Sequence, residues 1–214
     1  MEERVFLEQR LGGIFDSLGI SLVRQSSSGT SLSPLGAYLT IIRLKDEATY
    51  WHCVRVALCG VKVAEALNLD FKPLFYAGLL HDIGKAAVDQ DLLTKKHFTA
   101  ADYEKMKPHV LHGYYLLRGV YNFSAEIILR HHRYYSDGYP KILPRSRVRY
   151  SKETKELIDH FAKVLAIIDF YDAATTRDNE RSKEKEVKAL LIQKFPNESE
   201  IINLCYEKGI FIEI

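Results

Sequence analysis

The feature that most constrains this chain is the apolar run Leu74-Phe-Tyr-Ala-Gly-Leu-Leu80, which ends directly in His81-Asp82. A run that apolar belongs in an interior. Burying it takes an imidazole and a carboxylate into the interior with it. Both are costly there unless each has a partner. A divalent cation is the most economical partner for both, so other polar groups must gather where the run ends. The pair alone carries little weight, since composition gives about 0.4 His-Asp pairs by chance in a chain like this. Its setting carries more: an apolar helix behind it and Ile83-Gly84-Lys85 after it.

A second pair, His131-His132, repeats the arrangement. Adjacent helical residues point ~100° apart, so consecutive ligands suit two ions better than one. Asp82 could bridge two ions while His81 binds one of them, and the rings of His131 and His132 could each face a different ion. His52 sits one turn inside a helix. His109 and His112 lie one turn apart, and both could face the site. Asp169 and Asp172 are likewise one turn apart. Asp169 lies within Ala166-Ile-Ile-Asp-Phe-Tyr171, where an uncompensated carboxylate would be expensive. Lys85 follows the ligand pair closely.

The surrounding pattern is helical. Residues Glu2 to Gly19 carry Leu7, Leu11, Ile14 and Leu18 at helical spacing, with Gly12 and Gly13 inside. Gln25 to Pro34 reads as a flexible connection. Leu35 to Leu44 is ambiguous between strand and helix. A helix is expected from Thr49 to about Leu67, with Asn68 and Asp70 ending it, and a buried one from Phe71 to Asp82. Thr99 and Asp102 form a capping box that opens a helix through His109 to Leu117, kinked by Pro108. Ser124 can cap a helix reaching His132. Ser151 to Thr176 is the longest helix, with Leu157, Phe161, Val164, Leu165, Ile168 and Tyr171 on one side. Helices near Lys183 to Phe195 and Glu198 to Lys208 finish the chain. The class is all-α, with at most a short strand pair.

Composition narrows the function. With 47% hydrophobic and 27% charged residues the chain can build a core. A net charge of +2 does not suit a partner as charged as DNA or RNA. Cys53, Cys59 and Cys205 form no Cys-x-x-Cys pair and read as reduced structural thiols. The acidic start Met-Glu-Glu-Arg lacks the apolar stretch of a signal peptide. Leu74–Leu80 is far shorter than the ~20 residues that span a bilayer. These features place the chain in the cytoplasm, with no membrane partner.

Taken in order, His52, then His81-Asp-Ile-Gly-Lys85, then Met106-Lys-Pro-His109 with Gly113, then His131-His132 with Asp137-Gly-Tyr-Pro140, then Ile168-Asp169-Phe-Tyr-Asp172-Ala173 resembles the HD superfamily of phosphohydrolases. Within it the chain most resembles the HD-GYP cyclic di-GMP phosphodiesterases, over about Leu44 to Arg177. The resemblance implies an HD-domain helical bundle at residues 46–180. Residues 1–45 would be an N-terminal helical extension and linker, and residues 181–214 C-terminal helices packed on the core. It implies metal ligands His52, His81, Asp82, His109, His131, His132 and Asp169, choosing His109 over His112 and Asp169 over Asp172. Asp82 and Lys85 become catalytic, Lys85, Tyr139 and Arg133 contact substrate, and Asp172 orients a ligand from behind. Two divalent ions, iron or manganese, would activate water to attack phosphorus in a cyclic dinucleotide, cyclic di-GMP. The alternatives are another phosphate ester of a nucleotide, or a nucleotide sensor without catalysis.

Four features depart from the family pattern. Arg133 stands where the family has Glu, and the Ser136-Asp-Gly-Tyr-Pro140 loop is one residue short. The segment Arg177–Arg181 replaces Arg-Pro-Tyr-Arg. Ala48 replaces a Glu linked to a third metal, which favours two ions. These changes fall on substrate recognition more than on metal binding.

Overall fold

In the computed structural model the described residues are 2–27, 29–135, 137–176 and 184–211. Helix α1 (Glu2–Ser17) leads to an antiparallel pair, β1 (Val23–Ser26) and β2 (Gly29–Leu32). The segment expected to be a flexible connection, Gln25 to Pro34, therefore contains most of the one sheet among the described residues. Helices α2 (Pro34–Lys45), α3 (Glu47–Ala66) and α4 (Lys72–Leu80) follow, then a 3-10 turn, Ile83–Ala87. Next come α5 (Gln90–Leu93), α6 (Ala100–Met106), α7 (His109–Leu117) and α8 (Asn122–Arg130), and a second 3-10 turn, His131–Tyr134. The long α9 (Lys152–Thr176), α10 (Glu184–Lys194) and α11 (Ser199–Glu207) complete an all-α architecture.

Local chemistry decides the ambiguous segments. Ser33 accepts a hydrogen bond from the Gly36 N–H, and Pro34 occupies the first turn. That start outweighs the β-branched residues of Leu35 to Leu44, so α2 is a helix. Asp46 caps α3 by accepting from the Thr49 N–H at 2.8 Å and from its hydroxyl at 2.6 Å. The Thr99–Asp102 capping box forms as expected. Pro108, however, separates two helices, α6 and α7, instead of kinking one. Pro has no N–H to continue the ladder, and His109 thereby opens a new helix. Ser124 does not cap α8. It lies buried inside that helix, which starts at Asn122, whose Oδ1 accepts from the Gly119 N–H at 2.7 Å. Leu157, expected on the apolar side of α9, is exposed, and Ile158 is buried in its place.

The core surrounds α3, which is buried on nearly every side. Leu7, Leu11 and Phe15 of α1, Leu35, Leu39 and Ile42 of α2, and Val187, Leu191, Ile202 and Phe211 near the C-terminus all join one apolar cluster with it. The segment Arg177–Arg181 lies outside the described residues, as does Ser136.

Two glycines set the spacing around the His81-Asp82 corner. A methyl group on Gly78 would lie 2.6 Å from the Ala57 Cα, so α4 touches the backbone of α3 there. A methyl on Gly84 would lie 1.8 Å from the His109 carbonyl oxygen, so the 3-10 turn touches the start of α7. Gly78→Ala is expected to cost about 1–3 kcal/mol of stability by overpacking. Gly13 lies in the interior of α1 with nothing within 4 Å of a Cβ, so Gly13→Ala is expected to add about 0.5–1 kcal/mol. Urea melts of both variants check this pair of opposite signs.

Candidate metal centre

Five segments converge where α4 and α8 end. His81 and His131 each stand just past the last residue of their helix, and His109 opens α7. All three use the same local device. The Nδ1 of His81 hydrogen-bonds the Gly78 carbonyl (2.8 Å), that of His109 the Met106 carbonyl (2.8 Å), and that of His131 the Ile128 carbonyl (2.5 Å). A carbonyl can only accept, so each Nδ1 carries the proton. Carbonyls in a last helical turn lack an intrahelical partner, and the imidazole three residues on satisfies them. In a neutral ring the device leaves Nε2 without a proton and aimed inward.

His52 lies in the middle of α3, where the carbonyls are already taken by the helix ladder. Its Nδ1 instead meets Asp172 Oδ2 of α9 at 2.6 Å. Burial works against the charge on Asp172, yet His52 and Arg55 hold its carboxyl below the usual range. It therefore accepts, and His52 also keeps its proton on Nδ1.

The consequence is a gathering of acceptors. His52 Nε2 faces His81 Nε2 at 3.1 Å and Asp169 Oδ1 at 3.0 Å. Asp82 Oδ2 lies 3.8 Å from His52 Nε2 and 3.5 Å from His81 Nε2. Its other oxygen, Oδ1, lies 3.4 Å from His109 Nε2. Asp82 thus spans two groups. One is His52, His81 and Asp169. The other is His109, His131 and His132, whose ligand atoms fall within 4.8 Å of one another. His109 Nε2, His131 Nε2 and His132 Nδ1 are buried with no hydrogen-bond partner. Facing lone pairs with no donor between them repel, and a cation is what such a set can hold.

The electrostatics agree. Burial lowers His109 to about 4. Burial, with His81 nearby, lowers His131 to about 3. Burial also holds His132 well below the usual histidine value. These rings are neutral at pH 7, as ligands must be. Burial opposes a charge on Asp82, but Lys85, His81, His109 and His52 hold its carboxyl well below the usual range. Burial likewise opposes a proton on His81, yet Asp82 pulls it well above the usual value. The pocket therefore favours positive charge between these groups. Nitrogen and oxygen donors dominate, which suits first-row ions.

The remaining expected residues are placed as follows. Lys85 Nζ pairs with Asp82 Oδ2 at 2.5 Å beside a small recess edged by Ile42, Asp46, Thr49 and Leu93. The Tyr139 ring stacks on His132 with centroids 4.8 Å apart, and its N–H reaches the His132 carbonyl at 3.2 Å. Gly138 permits this, because a methyl there would lie 2.2 Å from the Arg133 carbonyl oxygen. Arg133 is exposed. Asp172 touches His52, and His112 belongs to neither group of candidate ligands. Two neighbours went unnoticed in the sequence. Cys53 has its sulfur within 4.8 Å of ligand atoms of His81 and Asp82. Arg55, one turn beyond His52, grips Asp172; its i, i+3 spacing from His52 was the available signal.

The HD domain family model matches residues 49–174. The chain belongs to the HD domain family. It is 33% identical over 184 residues to the cyclic di-GMP phosphodiesterase PA4108 of Pseudomonas aeruginosa, covering 80% of this chain and 42% of that protein. It is 28% identical over 142 residues to the 3'3'-cGAMP-specific phosphodiesterase 1 of Vibrio cholerae, covering 63% of this chain and 31% of that one. The chain thus spans less than half the length of these curated relatives. The crystal structure of the L. monocytogenes phosphodiesterase PgpH HD domain superposes with a TM-score of 0.52 at 16% identity, over 82% of this chain and 87% of that one. That likeness speaks for the HD fold alone.

Asp82→Ala removes the carboxylate that lies between the two groups of candidate ligands. Manganese at 100 times its dissociation constant is expected to add about 2.7 kcal/mol to the wild-type chain. That corresponds to a rise in melting temperature of roughly 5–10 °C. The variant is expected to show no rise and to lose bound metal on elemental analysis, with its far-ultraviolet dichroism unchanged.

Proposed function

We propose that this chain is a metal-dependent phosphodiesterase that hydrolyses a cyclic dinucleotide, with cyclic di-GMP the favoured substrate. The observation that carries the reading is the buried acceptor set around Asp82, with no donor among its inward-facing nitrogens. The names of the two curated relatives support the substrate class.

In this reading His52, His81 and Asp169 hold one divalent ion. His109, His131 and His132 hold a second, and Asp82 lies between them. Iron and manganese suit the donors, although Cys53 beside His81 adds a softer atom nearby. Bound there, two such ions would polarise phosphoryl oxygens and acidify water. The net reaction adds water across one P–O bond. Oxygen joins phosphorus, and the departing sugar oxygen takes a proton.

The chain's own residues do the rest. Asp82 stays ionised because burial is outweighed by the positive groups around it. Lys85 is paired to Asp82. The Lys85 ammonium, held beside Asp82, would be the group that reaches a nonbridging phosphate oxygen. Tyr139 has one ring face committed to His132, so it acts as a wall that excludes water from that ligand more than as a platform for guanine. Arg133, exposed beside it, can recruit phosphate from solvent. Such a site takes a small nucleotide; no polymer or membrane partner is needed. No helix among the described residues is long and apolar enough to cross a membrane.

The test is turnover by anaerobically purified protein of cyclic di-GMP, 3'3'-cGAMP and an aryl phosphodiester, alongside elemental analysis. Cleavage of a cyclic dinucleotide by metal-loaded protein is expected. Cleavage of the aryl ester alone would reject the dinucleotide, and metal-free, inert protein would reject the enzyme. Lys85→Ala is expected to lower kcat about 100- to 1,000-fold while metal content stays at the wild-type level.

A further inference from the structure

The ligands of the centre are held by two different devices. His81, His109 and His131 are oriented by carbonyls three residues back, within their own stretch of chain. His52 depends on a carboxylate from another helix, 120 positions away. Asp172 has no solvent exposure. A buried carboxylate facing a single imidazole is poorly supported. One hydrogen bond fixes neither the plane of the carboxylate nor the ring that it orients.

Arg55 removes that weakness. Its Nε donates to Asp172 Oδ1 at 2.7 Å, and its Nη2 donates to Oδ2 at 2.9 Å. The fork engages both oxygens, and only 13% of the Arg55 side chain is exposed. Arg55 stands one turn after His52 on α3, and Asp172 one turn after Asp169 on α9. The ion pair therefore clasps the two helices whose ligands meet at 3.0 Å. No hydrogen bond or ion pair of Arg55 reaches the group of His109, His131 and His132.

We propose that Arg55 is a positioning residue for one half of the centre. Through Asp172 it keeps the proton of His52 on Nδ1 and holds Nε2 toward the cation. The inference rests on the reading that the acceptor cluster holds two ions. Partners that orient a ligating histidine in this way typically govern metal affinity by 10- to 100-fold. Lys cannot replace the fork, because a single ammonium cannot grip both oxygens in one plane.

Calorimetric titration of the full chain with manganese, for wild type, Arg55→Ala and Arg55→Lys, tests this. Wild type is expected to show two sites. Each variant is expected to show one site weakened about 10- to 100-fold and the other within about twofold of wild type. Methylguanidinium is expected to restore the weakened site of Arg55→Ala, which a loss of folding would not allow. In metal-free protein, nitrogen-15 NMR of the imidazoles is expected to show the Nδ1–H form of His52 in wild type and a mixture in Arg55→Lys. If Arg55→Ala does not fold, Arg55→Lys and its NMR signature carry the decision. Wild-type affinities in a folded variant, or equal weakening of both sites, would overturn the positioning role alone. A wild-type chain that takes up no manganese would overturn the two-ion reading together with it.

Discussion

The structure depends on where a few protons sit. Four histidines commit their Nδ1 hydrogens outward, three to backbone carbonyls and one to Asp172. What remains inside is a set of nitrogen and carboxylate lone pairs, among them three histidine nitrogens with no hydrogen-bond partner. That set is unfavourable in an interior without positive charge. Against burial, Lys85 and the neighbouring imidazoles keep Asp82 charged, and Asp82 in turn pulls His81 toward protonation. Lys85 supplies part of the missing charge on one side of Asp82. The fold tolerates this arrangement because the surrounding core is large. A single apolar cluster draws on helices from α1 to α11.

Packing and electrostatics are coupled through close backbone contacts. Gly78 lets α4 touch α3 beside Ala57, and its carbonyl is also the acceptor that orients His81. Gly84 lets the turn after Asp82 press on His109, whose ring comes within reach of Asp82 Oδ1. Gly138 does the same for the loop that lays Tyr139 on His132. At each position a side chain would move a candidate ligand, because proteins are packed too densely to absorb a shift of that size locally. The polar pair Arg130–Glu126 shows that not every buried charge here serves the centre. It ties the end of α8 to itself and to Asp159 of α9.

Much of the fold was legible because helix signals are local. Apolar spacing located α3, α4 and α9, and the Thr99–Asp102 box marked α6. The misreadings are also physical. The strands β1 and β2 are polar, with Arg24, Gln25, Thr30 and Ser31 facing solvent. Their pairing rests on backbone hydrogen bonds and leaves no alternating pattern to read. Leu35 to Leu44 looked ambiguous because β-branched content and a Ser-Pro start point in opposite directions, and the cap prevailed. Pro108 divided a helix because the chain had a new helix to begin at His109.

By itself the sequence determined which side chains had to be compensated. An imidazole and a carboxylate at the end of a buried apolar run, repeated in kind at His131-His132, require partners wherever the chain goes. Which partners they find was decided only by tertiary structure. His52 and Asp169 are 117 positions apart, and nothing in their separate neighbourhoods encodes a 3.0 Å meeting. The same is true of the Arg55–Asp172 clasp, also 117 positions apart. Periodicity reports which face of a helix is buried. Distance between helices, and with it the tautomer of a mid-helix histidine, follows from how the assembled core packs.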